Sequence, residues 1–236
     1  GPIPSAAAAG VRGAAESAVK LVAWWLGDAD RGDDRENHAA VLSFCDASPA
    51  AVGAPLLELL VKREVPGCRA KLGLALASLG DYPAACRNLS LTPDVQPYAA
   101  TLEQWAALGP PSERALFGAR AVLLLLRPGE AHKARALRAA LEQRGLWDAE
   151  GQAACRLCDV LLRLHAAGPA VDKAAVFRHV EALYGPALAR RDAELARALV
   201  VTGERLFRAQ ARGQHGAATA AAARTGSRGG GGAGRA

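Results

Sequence analysis

At 236 residues the chain is long enough to bury a sizeable core without disulfide or metal staples, and with 51% apolar and 22% charged residues it is not a wholly disordered polymer. No apolar stretch reaches the ~20 uninterrupted residues of a spanning helix, so a soluble, intracellular protein is expected, cytoplasmic or organellar. The net charge of +6 does not single out a nucleic-acid binder: Arg outnumbers Lys 24 to 5 while Ile occurs once and Met never, the joint bias of a GC-rich gene, and three of the positive charges (Arg224, Arg228 and Arg235) lie in an acid-free tail.

Gly1 is not an initiator, and Ala6 to Ala9 with Arg12 and no acid before Glu16 is compatible with the remnant of an organellar presequence. Residues 1–12 are expected to be flexible. The first amphipathic helix, 14–26, carries Trp24 and Trp25 side by side, roughly 100° apart on the helix surface. A core stripe of Ala18, Leu21 and Val22 can hardly bury both rings, so one Trp is expected either to anchor a partner or to be covered by residues 1–9 folding back. The acidic run from Asp28 to Glu36 fails as a calcium loop, because its glycine comes one position early and Ala39 stands where a bidentate Glu is needed. It reads as a loop supplying helix caps. Gly and Pro punctuation then predicts helices near 35–45, 48–62, 68–79, 83–89, 97–107, 112–126, 130–144, 148–166, 172–183 and 186–212, which with the first makes about eleven. β-Branched residues other than Val are few and no Asn-Gly or Asp-Gly hairpin occurs, so a sheet is not expected. The helical domain is assigned to 13–212, and the Ala/Gly/Arg-rich residues 213–236 cannot bury enough apolar surface to order themselves.

Connections this short force consecutive helices to run antiparallel, as a closed bundle or a stacked solenoid. From Arg69 the chain reads Lys71-Leu72-Gly73, Leu76, Gly80-Asp81-Tyr82, Ala85, Leu89 and Pro97. Gly73 would admit a neighbouring helix, Gly80 and Asp81 would turn the chain, Ala85 would sit at the helix crossing and Leu89 would fill the space between the pair. This run resembles the tetratricopeptide repeat in spacing at nearly every landmark. It departs at Arg69 and Leu76, where that family prefers aromatics, and at Thr92-Pro93, which cut the second helix short. Fainter copies include Val122 to Leu126, Gly129-Glu130, Ala134, Leu137 and Gly145, and then Leu161, Leu162, Gly168, Ala174 and Phe177.

The resemblance implies an all-α, right-handed superhelix of antiparallel helix pairs that takes a protein or peptide partner in the groove lined by the first helix of each pair. In the best repeat the implied groove residues are Ala70, Leu74 and Ala77. Many tetratricopeptide proteins clamp the C-terminal carboxylate of a chaperone with Lys, Asn and Arg from these helices. Ala70, Leu74 and Ala77 build no such clamp, so an apolar segment is the expected ligand and a Glu-Glu-Val-Asp tail is not.

Five cysteines, Cys45, Cys68, Cys86, Cys155 and Cys158, are an odd and scattered set, and the Cys155-Arg-Leu-Cys158 pair has neither the second pair nor the histidines of a structural zinc site. His165 lies two turns on, leaving the fourth ligand missing. The five histidines are dispersed, and no nucleophile elbow, zincin helix or phosphate loop is present. The sequence therefore predicts no metal, no cofactor and no catalysis, but a scaffold or adaptor within a multi-subunit complex. An organellar RNA-associated repeat protein is the alternative, disfavoured because aromatic residues to stack bases make only 5% of the chain.

Overall fold

The computed structural model describes residues 34–126, 130–147 and 151–205, and every regular element among them is helical. In chain order these are α1 (Asp34–Ala47), α2 (Ala50–Lys62), α3 (Cys68–Ser78), α4 (Tyr82–Leu89), α5 (Gln96–Ala107), a 3-10 turn (Pro111–Glu113), α6 (Arg114–Leu125), α7 (Ala131–Gln143), α8 (Gln152–Ala166) and α9 (Lys173–Arg191), followed by α10 over 193–205. The chain is all-α across this range. The expected helix over 14–26 and the tail from 213 lie outside the described residues. The chain divides into two compact units, Gly1–Arg114 with Ala139–Leu146, and Ala115–Arg138 with Trp147–Ala236.

Helix ends follow local chemistry. After α3 the amide of Gly80 donates to the Ala77 carbonyl at 3.0 Å and that of Asp81 to Leu76 at 3.0 Å, a closure that requires the left-handed φ of +81° at Gly80. The Asp81 carboxylate then accepts from the Ala84 amide at 3.1 Å and starts α4, so two residues both stop one helix and cap the next. Gly145 ends α7 in the same way, with Leu146 donating to Leu141 at 3.0 Å. At the end of α2 the left-handed position is held instead by Glu64, with φ of 59°.

One boundary differs from expectation. Gly185-Pro186 was expected to separate two helices, yet α9 runs through both and breaks at Asp192. Pro186 and Ala182 are both exposed, so the Ala182 carbonyl that loses its amide partner is not shut away in the core. Pro55 is carried within α2 for the same reason, opposite an exposed Ala51.

In the first unit α3 packs between α2 and α4 and also touches α5. Lys71 of α3 donates to the Asp46 carboxylate near the end of α1. The core holds Leu56, Leu60, Cys68, Leu72, Ala85 and Leu89, and each fully buried leucine contributes about 1.5–3 kcal/mol. Gly73 makes the α3–α4 contact possible: a Cβ there would lie 2.5 Å from Leu89 Cγ and 3.3 Å from the Ala85 carbonyl. Tyr82 stacks on Trp105 with centroids 6.4 Å apart, tying α4 to α5, and Arg144 pairs with Glu103 at 2.8 Å.

In the second unit α8 packs on α9, over a core that includes Val122, Leu137, Leu157, Leu161, Leu195 and Leu199. Arg138 of α7 pairs with Asp159 of α8 at 2.7 Å and donates to Cys155 Sγ at 3.1 Å. Asp192, with a side chain only 2% exposed, accepts from the amides of Glu194 and Leu195 at 3.1 and 2.9 Å and from Arg120 Nε at 2.6 Å. It starts α10 and holds α6 to that corner. Phe177 of α9 lies against Gly203 of α10, where a Cβ would come within 2.1 Å of the ring.

Candidate functional site

The first-unit helix α3 reads Cys-Arg-Ala-Lys-Leu-Gly-Leu-Ala-Leu-Ala-Ser, and its periodicity sends Cys68, Leu72, Gly73, Leu76 and Ala77 into the core. What remains outward is a narrow stripe through Ala70, which is half-buried, and Leu74, which is 49% exposed. Ala77, placed with these two by the sequence, is 7% exposed and belongs to the core. Ala77 shares the side of α3 that carries Ala70 and Leu74, but at that end of the helix the side is covered by the rest of the fold. Trp24 and Trp25 lie outside the described residues.

Ala70 also forms part of the wall of a cleft of about 370 Å³ at the beginning of α3. Val61 closes it from α2, Val65 from the connecting turn, and Leu91 and Pro93 from the loop after α4. Its charged lining residues have opposite signs, Glu64 and Arg69. Leu91 is 59% exposed because α4 stops after only eight residues: Thr92 Oγ1 donates to the Leu89 carbonyl at 2.7 Å and to that of Asp94 at 3.1 Å, and Pro93 prevents continuation. Sequence reasoning registered that Thr92-Pro93 shorten this helix. It missed that the shortening leaves Leu91 beside α3, a contact set by tertiary packing. The cleft thus has a lining of mixed polarity, with Val61, Val65 and the exposed Leu91 beside one charge of each sign.

Burial pushes the Cys86 thiol up to about 12 and raises those of Cys158, Cys45 and Cys68. Lys71 partly opposes the rise at Cys45 and Cys68, where Asp46 and the paired thiol reinforce it at Cys45. All five cysteines are free and buried, and the two of the Cys155–Cys158 pair lie in the α8 core. A thiolate is the nucleophile and metal ligand, so Cys45, Cys68, Cys86 and Cys158 are held neutral as small core side chains, whereas Cys155 accepts from Arg138. Among the described residues no three His, Cys, Asp or Glu side chains are placed to hold a metal ion. No helix among them is long and apolar enough to cross a membrane.

Comparison with protein-family models, curated proteins and solved structures finds no match to this chain. The functional reading rests on the site itself.

Proposed function

We propose that the chain is a non-catalytic scaffold of the tetratricopeptide-like kind, a right-handed α-solenoid that binds a partner protein or peptide on the open face of its first helices. The observation that carries the reading is the set of neighbours of α3. Besides its sequence neighbours α2 and α4, it reaches α1 through Lys71 and Asp46 and touches α5 directly, so alternate helices associate as the first helices of stacked pairs do. Support also comes from the placement of the repeat landmarks, with Gly73 receiving Leu89, Ala85 fully buried beside them and Gly80 in the left-handed turn. The ligand in this reading is an apolar helix or extended segment lying over Ala70 and Leu74 with one side chain in the adjoining cleft.

A photo-crosslinking residue at position 74 tests it. The expected result is a saturable crosslink to one partner that disappears when Leu91→Glu is added, with the helical circular dichroism unchanged. Crosslinking that persists in Leu91→Glu, or a partner captured equally well by Leu74→Glu, would place the interface elsewhere. Micromolar binding of a Glu-Glu-Val-Asp peptide would overturn the apolar ligand assignment.

A further inference from the structure

The second unit carries a different feature, in which the last turn of α8 gathers basic side chains from three helices. His165 is half-buried in that turn. Lys173, the first residue of α9, donates from Nζ to the His165 carbonyl at 3.2 Å, and Arg135 of α7 places a guanidinium nitrogen 3.5 Å from the Leu162 carbonyl. The His165 carbonyl is one of the last four of α8, which lack an intrahelical amide, and the Leu162 carbonyl lies just before them, at the end of the helix that carries a partial negative charge of about half a unit. That fraction draws the two cations in but does not neutralise them. Among the described residues no carboxylate forms an ion pair with Arg135, His165 or Lys173. Asp172, adjacent in sequence, is engaged as the cap of α9, its carboxylate accepting from the Ala175 amide at 3.0 Å.

The imidazole is shifted in the sense that burial and positive neighbours both favour. Burial first, then the charges of Lys173 on α9 and Arg135 on α7, hold the His165 pKa below its usual range, and no negative group pulls it back. At neutral pH the cluster therefore consists of two permanent cations and a neutral ring.

We propose that Arg135, His165 and Lys173 form an anion site whose ligand is a phosphomonoester dianion. Two fixed positive charges match two negative ones, whereas a carboxylate or a phosphodiester would leave one cation uncompensated. Leu162 and His165 are three residues apart, so the carbonyls that hold Arg135 and Lys173 lie within about 5 Å of helix rise and bring both basic side chains to the same turn, where charge-assisted hydrogen bonds to one phosphoryl group are proposed. Arg135 and Lys173 each spend one donor on a carbonyl and keep the others for phosphoryl oxygens, while the imidazole supplies an N–H donor. The site belongs to the second unit and does not depend on the peptide groove along α3.

The test is an NMR titration of the His165 ring in the full chain with inorganic phosphate, against chloride at equal ionic strength. The expected result is a saturable shift of the His165 resonance and a rise in its pKa, because a bound dianion favours the protonated ring. Lys173→Gln and Arg135→Gln should each weaken phosphate binding at least tenfold, with Lys173→Arg restoring it. In free Lys173→Gln the His165 pKa should move up toward its ordinary value. A phosphoserine peptide that binds more tightly than inorganic phosphate, while its unphosphorylated form does not bind, identifies a protein as the source of the group. Equal affinity for both phosphates identifies a small phosphate compound. A His165 titration indifferent to phosphate into the tens of millimolar, unphosphorylated peptide binding as well as phosphorylated, or an RNA oligonucleotide without terminal phosphate matching the monoester would each overturn the site.

Discussion

Two helical hairpins, α3–α4 in the first unit and α9–α10 in the second, solve the same packing problem in opposite ways. Each seats a large side chain on a helical glycine, Leu89 on Gly73 and Phe177 on Gly203. In the first hairpin every participant lies within one short run of sequence, and Gly80 with Asp81 turns the chain by backbone geometry and an exposed cap. In the second the partners are 26 residues apart and the chain reverses at one residue, the buried Asp192, whose carboxylate caps α10 and binds Arg120 of a third helix. The first turn is built from local conformational preference. The second adds to its local cap a tertiary tie to α6.

The largest expected effects probe the two seats themselves. Phe177→Ala should destabilise by about 3–5 kcal/mol and Leu89→Ala by about 2–5, while Gly73→Ala and Gly203→Ala, which force a Cβ into the occupied space, should each cost about 1–3. Chemical denaturation reads all four. A Gly203→Ala variant as stable as wild type would mean that Phe177 does not rest on that glycine, and the comparison would lose its second member.

Asp192 separates local capping from tertiary pairing. Asp192→Ala removes both and should cost about 1–2 kcal/mol for the cap plus a smaller sum for the ion pair, because the Arg120 side chain is 38% exposed and its charge is screened. Asp192→Asn keeps an acceptor for the Glu194 and Leu195 amides and should recover most of the loss. If it recovers none, the Arg120 pair rather than the cap makes the turn. Asp81→Ala in the first hairpin should lose only its cap, and a greater loss there than at Asp192 would reverse the comparison.

Alkaline pH compares the units directly. Cys86 in the first and Cys158 in the second are neutral acids whose pKa burial raises, as it does for Tyr98. Their contribution to stability is complete below the ordinary thiol value near 9 and is lost as pH rises toward the folded value, about 12 for Cys86, because the unfolded chain then releases protons that the folded chain retains. The slope is at most about 1.4 kcal/mol per pH unit for each group. The melting temperature should be level around neutrality and fall above about pH 9, and Cys86→Ala should soften the fall. The order in which Cys86 and Cys158 become open to alkylation shows which unit loosens first.

The smallest effect tests the first unit's turns alone. Glu64 occupies the left-handed position that Gly80 and Gly145 fill elsewhere, so Glu64→Gly should stabilise by about 0.5–1 kcal/mol, measured as a rise in the denaturation midpoint. A loss would mean that Glu64 contributes more through its side chain than its backbone strain costs.

Much of this was legible without coordinates. The composition and the spacing of Gly and Pro predicted the helices that make up every regular element among the described residues, and the run from Gly73 to Leu89 named the residues of the first hairpin, because a contact inside one hairpin depends on residues close in sequence and on turns that only certain side chains allow. The resemblance placed Ala70, Leu74 and Ala77 together on one side of α3, where Leu74 is exposed and Ala70 half-buried. Only the tertiary structure decided that Ala77 turns into the core, that Leu91 joins the open face, and that Asp192 rather than Pro186 breaks the last long helix. It likewise brought Phe177 to Gly203 and Arg135 and Lys173 to the end of α8. Periodicity specifies which residues share a side of one helix, but which helix comes to cover that side depends on contacts between residues far apart in the chain, whose individual energies are too small and too context-dependent to read from composition or spacing.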